Sequence, residues 1–182
     1  MINNEIIVIE NFLTRSECSR ILNKCKQDIE LSVGKVISGD SNRRKSSIGW
    51  VYDLDIVNQK LKGVLKSSFN INGMEVTGLG PFQFTEYKVG EFYEWHTDRD
   101  PTTFMDRFSS TVIQLNDDYS GGELEIKNPK GELVPIENKI GNLFIFDSNL
   151  LHRVTPVETG VRYSLVNWVS LIKTNSSQQN LI

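Results

Sequence analysis

Histidine is nearly missing from this chain: His96 and His152 are the only two among 182 residues. Cysteine is as scarce, with Cys18 and Cys25 alone. On the helix expected there, the two thiols share a face but sit about two turns apart, roughly 10 Å along the axis, too far for a disulfide. That excludes a disulfide-stapled scaffold and predicts buried or half-buried thiols in a reducing compartment. No apolar run approaches the roughly 20 residues that span a bilayer as a helix. The opening MINNEIIVIENF has neither the basic start nor the small-residue cleavage site of a signal peptide, so a cytoplasmic location is expected. Positive charge is not in excess. A net charge of -3 and a pI of about 5.5 give no reason to expect nucleic acid or an anionic membrane surface as the main partner. The P-loop pattern and the GxSxG nucleophile elbow are both absent, which removes two common chemistries.

What is present reads as one domain over 1–182, with neither an internal repeat nor an interdomain linker. Residues 1–73 are expected to supply a first strand and helical support. In LTRSECSRILNKCKQDIE, Thr14 stands at an N-cap with Glu17 three positions later, a capping box. Cys18, Ile21, Leu22, Cys25 and Ile29 follow at helical spacing. The segment DLDIVNQKLKGVLKSSF places Leu54, Val57, Leu61, Val64 and Leu65 on one face of a second helix. Between them, the basic run NRRKSS at 42–47 lies among Ser, Gly, Asn and Asp and reads as a solvated loop. From Met74 the texture changes. Eight short runs (PFQFTEYKV, FYEWH, SSTVIQLN, GELEI, ELVPIE, NLFIFD, HRVTPV and VRYSLVNWVSLI) are separated by Gly, Pro, Asn and Asp. They predict a mainly β fold: a jelly roll over 74–173 closed into two packed sheets. The glycine pair Gly121-Gly122 reads as a tight hairpin turn, and the polar tail KTNSSQQNLI as frayed.

Both histidines fall in this β region. His96 and Asp98 are two positions apart, so an extended strand would turn both to one face. Asp100 has the same parity and competes. His152 opens a late strand that a jelly roll can bring beside an early one. Two imidazoles and one carboxylate on one side of a metal form the triad that suits Fe(II) and leaves open positions. His₂-carboxylate also binds zinc, and a structural metal would use the same groups. Arg162 argues against a purely structural metal. It is a charge inside an apolar strand, VRYSLVNW, and needs an anionic partner, which a carboxylate held bidentately supplies. A metal triad beside a buried arginine fits a small diacid of the shape of 2-oxoglutarate.

Tyr87 lies nine residues before His96, and QLNDDYSGGELEI, GNLFIFDSNLLHRVTPVETGVRYS and Trp168, six past Arg162, complete a pattern. From Pro81 to Ser170 it resembles the Fe(II)/2-oxoglutarate dioxygenases of the prolyl 4-hydroxylase type, whose fold is a double-stranded β-helix with supporting helices. The resemblance implies His96, Asp98 and His152 as iron ligands. It implies Arg162 as partner of the distal carboxylate of 2-oxoglutarate, with Tyr87 and Ser164 helping to hold it and Trp168 walling the pocket. Thr111 and Leu115 become candidate cosubstrate contacts. The implied cofactors are Fe(II), 2-oxoglutarate and O₂, with ascorbate as an accessory reductant. The implied reaction is hydroxylation of an unactivated C–H, on a protein or peptide residue (prolyl first) or on a small molecule. The loops at 38–47 and 99–109 are the expected rims of the substrate site.

Overall fold

The computed structural model describes residues 6–34, 42–68, 74–99 and 107–173. The first part runs β1 (Ile7–Ile9), α1 (Arg15–Asp28), β2 (Ser32–Val33), β3 (Arg44–Lys45), β4 (Ser47–Val51) and α2 (Asp55–Ser68). It continues with β5 (Met74–Leu79), β6 (Phe82–Tyr87), β7 (Phe92–His96), β8 (Ser109–Gln114), β9 (Ser120–Gly121) and β10 (Leu124–Ile126). Then come β11 (Leu143–Asp147), β12 (His152–Val154), β13 (Val157–Thr159) and β14 (Arg162–Lys173). One sheet has eight strands in the order β1-β11-β8-β14-β6-β4-β2, with β5 also on β14. A second has four, β10-β12-β7-β3, and β13 pairs β9. This is the double-stranded β-helix with two supporting helices.

The helices form where period and cap agree. Thr14 Oγ1 accepts the Glu17 N–H at 3.2 Å, and the Thr14 N–H donates to Glu17 Oε2 at 2.8 Å. This reciprocal pair satisfies two N–H groups that no helical turn precedes. Cys18, Ile21 and Cys25 of α1 are buried, as are Leu54, Val57, Leu61 and Leu65 at α2. Both cysteines are free thiols, and burial pushes them up to about 11 and about 12. The helices cover one face of the large sheet, where Phe82, Phe84, Ile113, Tyr163, Leu165 and Val169 join their core. Each fully buried Phe or Leu there stabilises the fold by about 1.5–3 kcal/mol. Since alternate strand residues face opposite ways, the intervening positions line a cavity between the sheets. Gln83, Thr85 and Tyr87 do so from β6, and Arg162, Ser164, Val166 and Trp168 from β14.

Several expectations are corrected. The first seventy residues are not simply helical after β1, because β4 pairs with β6 across Ser47–Val51 and belongs to the large sheet. ELVPIE is no strand: only Leu133 bridges to Lys127, and Pro135 has no N–H to give a ladder. Gly121-Gly122 is not a hairpin turn, since β9 pairs β13 while β10 pairs β12. Both glycines have φ of 66°. A Cβ at Gly121 would lie 2.3 Å from the Pro156 carbonyl oxygen, so glycine permits a close backbone approach there. NRRKSS is not wholly a solvated loop: Arg44 is 7% exposed. The rim expected at 38–47 is described only from 42 and that at 99–109 only at 99 and 107–109; Asp100 and the tail beyond Lys173 lie outside the described residues. Among the described residues no helix is long and apolar enough to cross a membrane.

Candidate active site

β12 pairs with β7 so that His152 lies opposite His96. The early and late strands therefore meet at the histidines. Each ring has one nitrogen committed: His96 Nδ1 lies 2.7 Å from the Glu94 carbonyl oxygen, and His152 Nδ1 lies 2.9 Å from that of Leu150. A carbonyl only accepts, so both Nδ1 atoms carry a proton, and each ring in its neutral form presents the Nε2 lone pair. The Nε2 atoms face Asp98, at 3.7 Å from His96 to Oδ1 and 3.4 Å from His152 to Oδ2. One donor atom from each residue lies within 4.8 Å of the others. Tyr93 stacks on His96 at 3.5 Å between ring centroids, and Phe146 meets His152 edge-on at 4.8 Å.

Asp98 reaches this place differently from the expectation. His96 ends β7, and Asp98 sits in a bend beyond it rather than on the strand. Its N–H donates to the Ser148 carbonyl at 2.9 Å, which fixes the bend against the segment after β11. Ser110 Oγ donates to Asp98 Oδ2 at 2.6 Å. Ser110 and Ser148 could not be found from the sequence, because both contacts join segments far apart in the chain.

Burial and the imidazoles compete over the charges. Burial pushes His96 down to about 3, with the neighbouring His152 adding to the effect. Burial opposes ionisation of Asp98, but the two imidazoles and the Ser110 hydroxyl outweigh it and hold the carboxyl well below its usual range. Burial likewise disfavours the His152 cation, yet Asp98 overrides it and raises that imidazole. A carboxylate that stays ionised beside two inward Nε2 atoms is a donor set for a divalent cation, whose binding displaces the proton that Asp98 favours on His152.

Arg162 is 1% exposed at the start of β14. Its Nη1 donates to Ser164 Oγ at 3.1 Å, and Ser164 Oγ also lies 2.6 Å from Thr85 Oγ1. The guanidinium lies 5.5 Å from the centre of the Tyr87 ring. Its Nε and Nη2 are buried with no hydrogen-bond partner. A buried cation with two idle donors calls for an anion. Trp168 lines the same cavity, beside Trp50 at 6.2 Å, with the Arg107 guanidinium 3.8 Å over its ring. The structure thus brings together His96, Asp98, His152, Arg162, Tyr87, Ser164 and Trp168 around one cavity of about 530 Å³. It does not bring Thr111 or Leu115 there. Thr111 Oγ1 donates to the Asn167 carbonyl at 3.1 Å, and Leu115 is in the helix-side core. Parity explains it: Ser110 and Val112 hold the inward positions of β8.

The sequence model of the 2OG-Fe(II) oxygenase superfamily matches residues 82–170. A PKHD-type hydroxylase of Crocosphaera subtropica is 26% identical in an alignment covering 97% of this chain and 83% of that protein. One from Idiomarina loihiensis is 29% identical, covering 75% and 69%. In fold, the chain is similar to a Trichoplax adhaerens prolyl hydroxylase in complex with a hypoxia inducible factor peptide fragment, with a TM-score of 0.76 at 22% identity over 92% of this chain and 84% of that one. A Pseudomonas putida prolyl-4-hydroxylase gives 0.71 at 21% identity, covering 94% and 93%.

Proposed function

The chain belongs to the 2OG-Fe(II) oxygenase superfamily, and on that footing we propose how its residues work and on what. His96, Asp98 and His152 hold Fe(II). Arg162 holds the distal carboxylate of 2-oxoglutarate, assisted by Ser164 and Tyr87, and Trp168 walls the pocket. The reaction is prolyl 4-hydroxylase-like hydroxylation of an unactivated C–H on a protein or peptide residue. The observation that carries the site assignment is the sharing of one cavity by the triad and by Arg162 with its two idle donors. When bound, Fe(II), 2-oxoglutarate and O₂ supply the oxidation: the oxoacid leaves as succinate and CO₂, and one oxygen atom enters the C–H bond.

The chain's own residues position and exclude. The Glu94 and Leu150 carbonyls lock both imidazoles with Nε2 inward. Ser110 keeps one Asp98 oxygen occupied and so aims the carboxylate. Ser164, itself tied to Thr85, fixes the guanidinium before any ligand arrives. Peptide substrates are favoured by the apolar rim: Val33 and Trp50 line the cavity and are 74% and 42% exposed. A zinc hydrolase is disfavoured, because Asp98 is the only carboxylate lining the cavity among the described residues and it is already in the triad, which leaves no spare general base.

The test is a proline-containing peptide library incubated with enzyme, Fe(II) and 2-oxoglutarate. The expected result is a mass gain of one oxygen atom on a peptide, matched one to one by succinate. Succinate release that no peptide stimulates, with free amino acids stimulating it instead, would move the substrate to the small-molecule class.

A further inference from the structure

A second buried arginine lines the same cavity, and nothing in the hydroxylase reading uses it. Arg44 is 7% exposed and belongs to β3, opposite Tyr93 of β7. Its Nε donates to Ser46 Oγ at 2.7 Å and its Nη2 to Gln83 Oε1 at 3.1 Å. Its guanidinium lies 4.6 Å from the centre of the Tyr93 ring, and Tyr93 in turn stacks on His96. All of these partners are neutral, and no carboxylate of the described residues pairs with it. The seat is built for it: a Cβ on Gly34 would come within 2.8 Å of Arg44 Nε and 2.4 Å of Ser46 Oγ. A desolvated guanidinium with only neutral partners is costly to keep unless an anion completes it.

The charge balance of the cavity points the same way. Among the described residues, Arg44, Arg107 and Arg162 line it, against Asp98 alone of the acidic side chains. A divalent metal and the two carboxylates of 2-oxoglutarate cancel each other in charge, and Asp98 offsets one of the three arginines, so the cavity keeps a positive excess. Arg162 is the guanidinium that meets the distal carboxylate, and Arg107 lies over the Trp168 ring at 3.8 Å. Arg44 stays positive, one aromatic ring from the triad.

We propose that Arg44 anchors a carboxylate carried by the substrate, so that this enzyme selects an anionic substrate with its carboxylate close to the carbon to be hydroxylated. This rests on the hydroxylase reading above. The carboxylate comes from an acidic residue beside the target in a peptide or from the α-carboxylate of a free amino acid. Both offer the planar pair of oxygens that a guanidinium fork binds.

The test uses protein loaded with Mn(II) and 2-oxoglutarate, with ligand binding read by calorimetry. Two matched pairs of probes serve: L-proline against L-prolinamide, and end-blocked pentapeptides whose central proline is flanked by glutamate against the same peptides with glutamine. In at least one pair the carboxylate member should bind tenfold or more tighter than its amide. R44Q should erase that preference and R44K keep part of it. The pair that shows the preference identifies the source of the carboxylate. A wild-type protein that binds neither carboxylate more tightly than its amide overturns the inference without any variant. So does a folded R44Q that keeps the preference, or one that instead loses tenfold in 2-oxoglutarate affinity, which would assign Arg44 to the cosubstrate. Wild-type protein that fails to bind 2-oxoglutarate at all contradicts the hydroxylase reading itself, whereas intact 2-oxoglutarate binding without carboxylate preference contradicts only the role of Arg44.

Discussion

Ser110 shows how a residue outside the triad sets its geometry. Its hydroxyl occupies one oxygen of Asp98 at 2.6 Å and leaves the carboxylate one way to face the imidazoles. Ser110→Ala should weaken metal binding by roughly 10- to 100-fold without unfolding the protein, the usual cost of losing such a partner. Titration of the apo protein with Mn(II) measures it, and unchanged affinity would show that the bend alone places Asp98. If Arg162 holds the distal carboxylate as proposed, Arg162→Ala removes a charge-assisted pair worth about 1.5–3 kcal/mol. It should raise the 2-oxoglutarate requirement by on the order of ten- to a hundredfold and leave metal affinity near wild type. At this scale the sequence was legible where a residue type was rare or out of place: two histidines in the whole chain, and one arginine in an apolar strand. It was opaque where the partner came from elsewhere. Arg44 reads as solvated within NRRKSS, and only the pairing of β3 with β7 turns it inward.

At the scale of elements, the capping box of α1 is also a tie to α2. Lys60 Nζ donates to both oxygens of Glu17, at 2.7 and 2.9 Å. That hydrogen bond, with the Thr14 N–H, lowers the Glu17 carboxyl from 4.5 to about 2. A depressed carboxyl stabilises the fold above its unfolded pKa and loses that effect as pH falls through the folded one. Glu17→Gln should therefore be less stable than wild type at neutral pH, and the gap should close between pH 4.5 and about 2. Urea midpoints across that window decide it; a gap independent of pH would leave packing as the cause. Gly121→Ala should destabilise by on the order of 3 kcal/mol, since it combines a left-handed backbone with a clash against Pro156. Helices α1 and α2 were readable because their apolar period is long enough to recur. Two- and three-residue strands such as β2, β3 and β9 carry no period, and only their pairing partners define them.

Across the whole molecule, the large sheet separates two jobs by parity. One face of β6 and β14 packs on the helices, and the other holds the cavity. Alternation in VRYSLVNW marks two faces, but not which one meets helices and which meets the second sheet. Ligands that bind only the folded state should raise its stability, by about 2.7 kcal/mol at a hundredfold excess over Kd. Mn(II) and 2-oxoglutarate should each add a thermal shift. His152→Ala should lose both increments and Arg162→Ala only the second; a full 2-oxoglutarate shift in Arg162→Ala would remove that arginine from the site. The most direct test of the central claim is an anaerobic titration of apo protein with Fe(II) and then 2-oxoglutarate, following the visible metal-to-ligand charge-transfer band. A saturable band that is absent in His96→Ala is the predicted result. No band, with neither iron nor 2-oxoglutarate bound, would contradict the assignment of His96, Asp98, His152 and Arg162 to one working site.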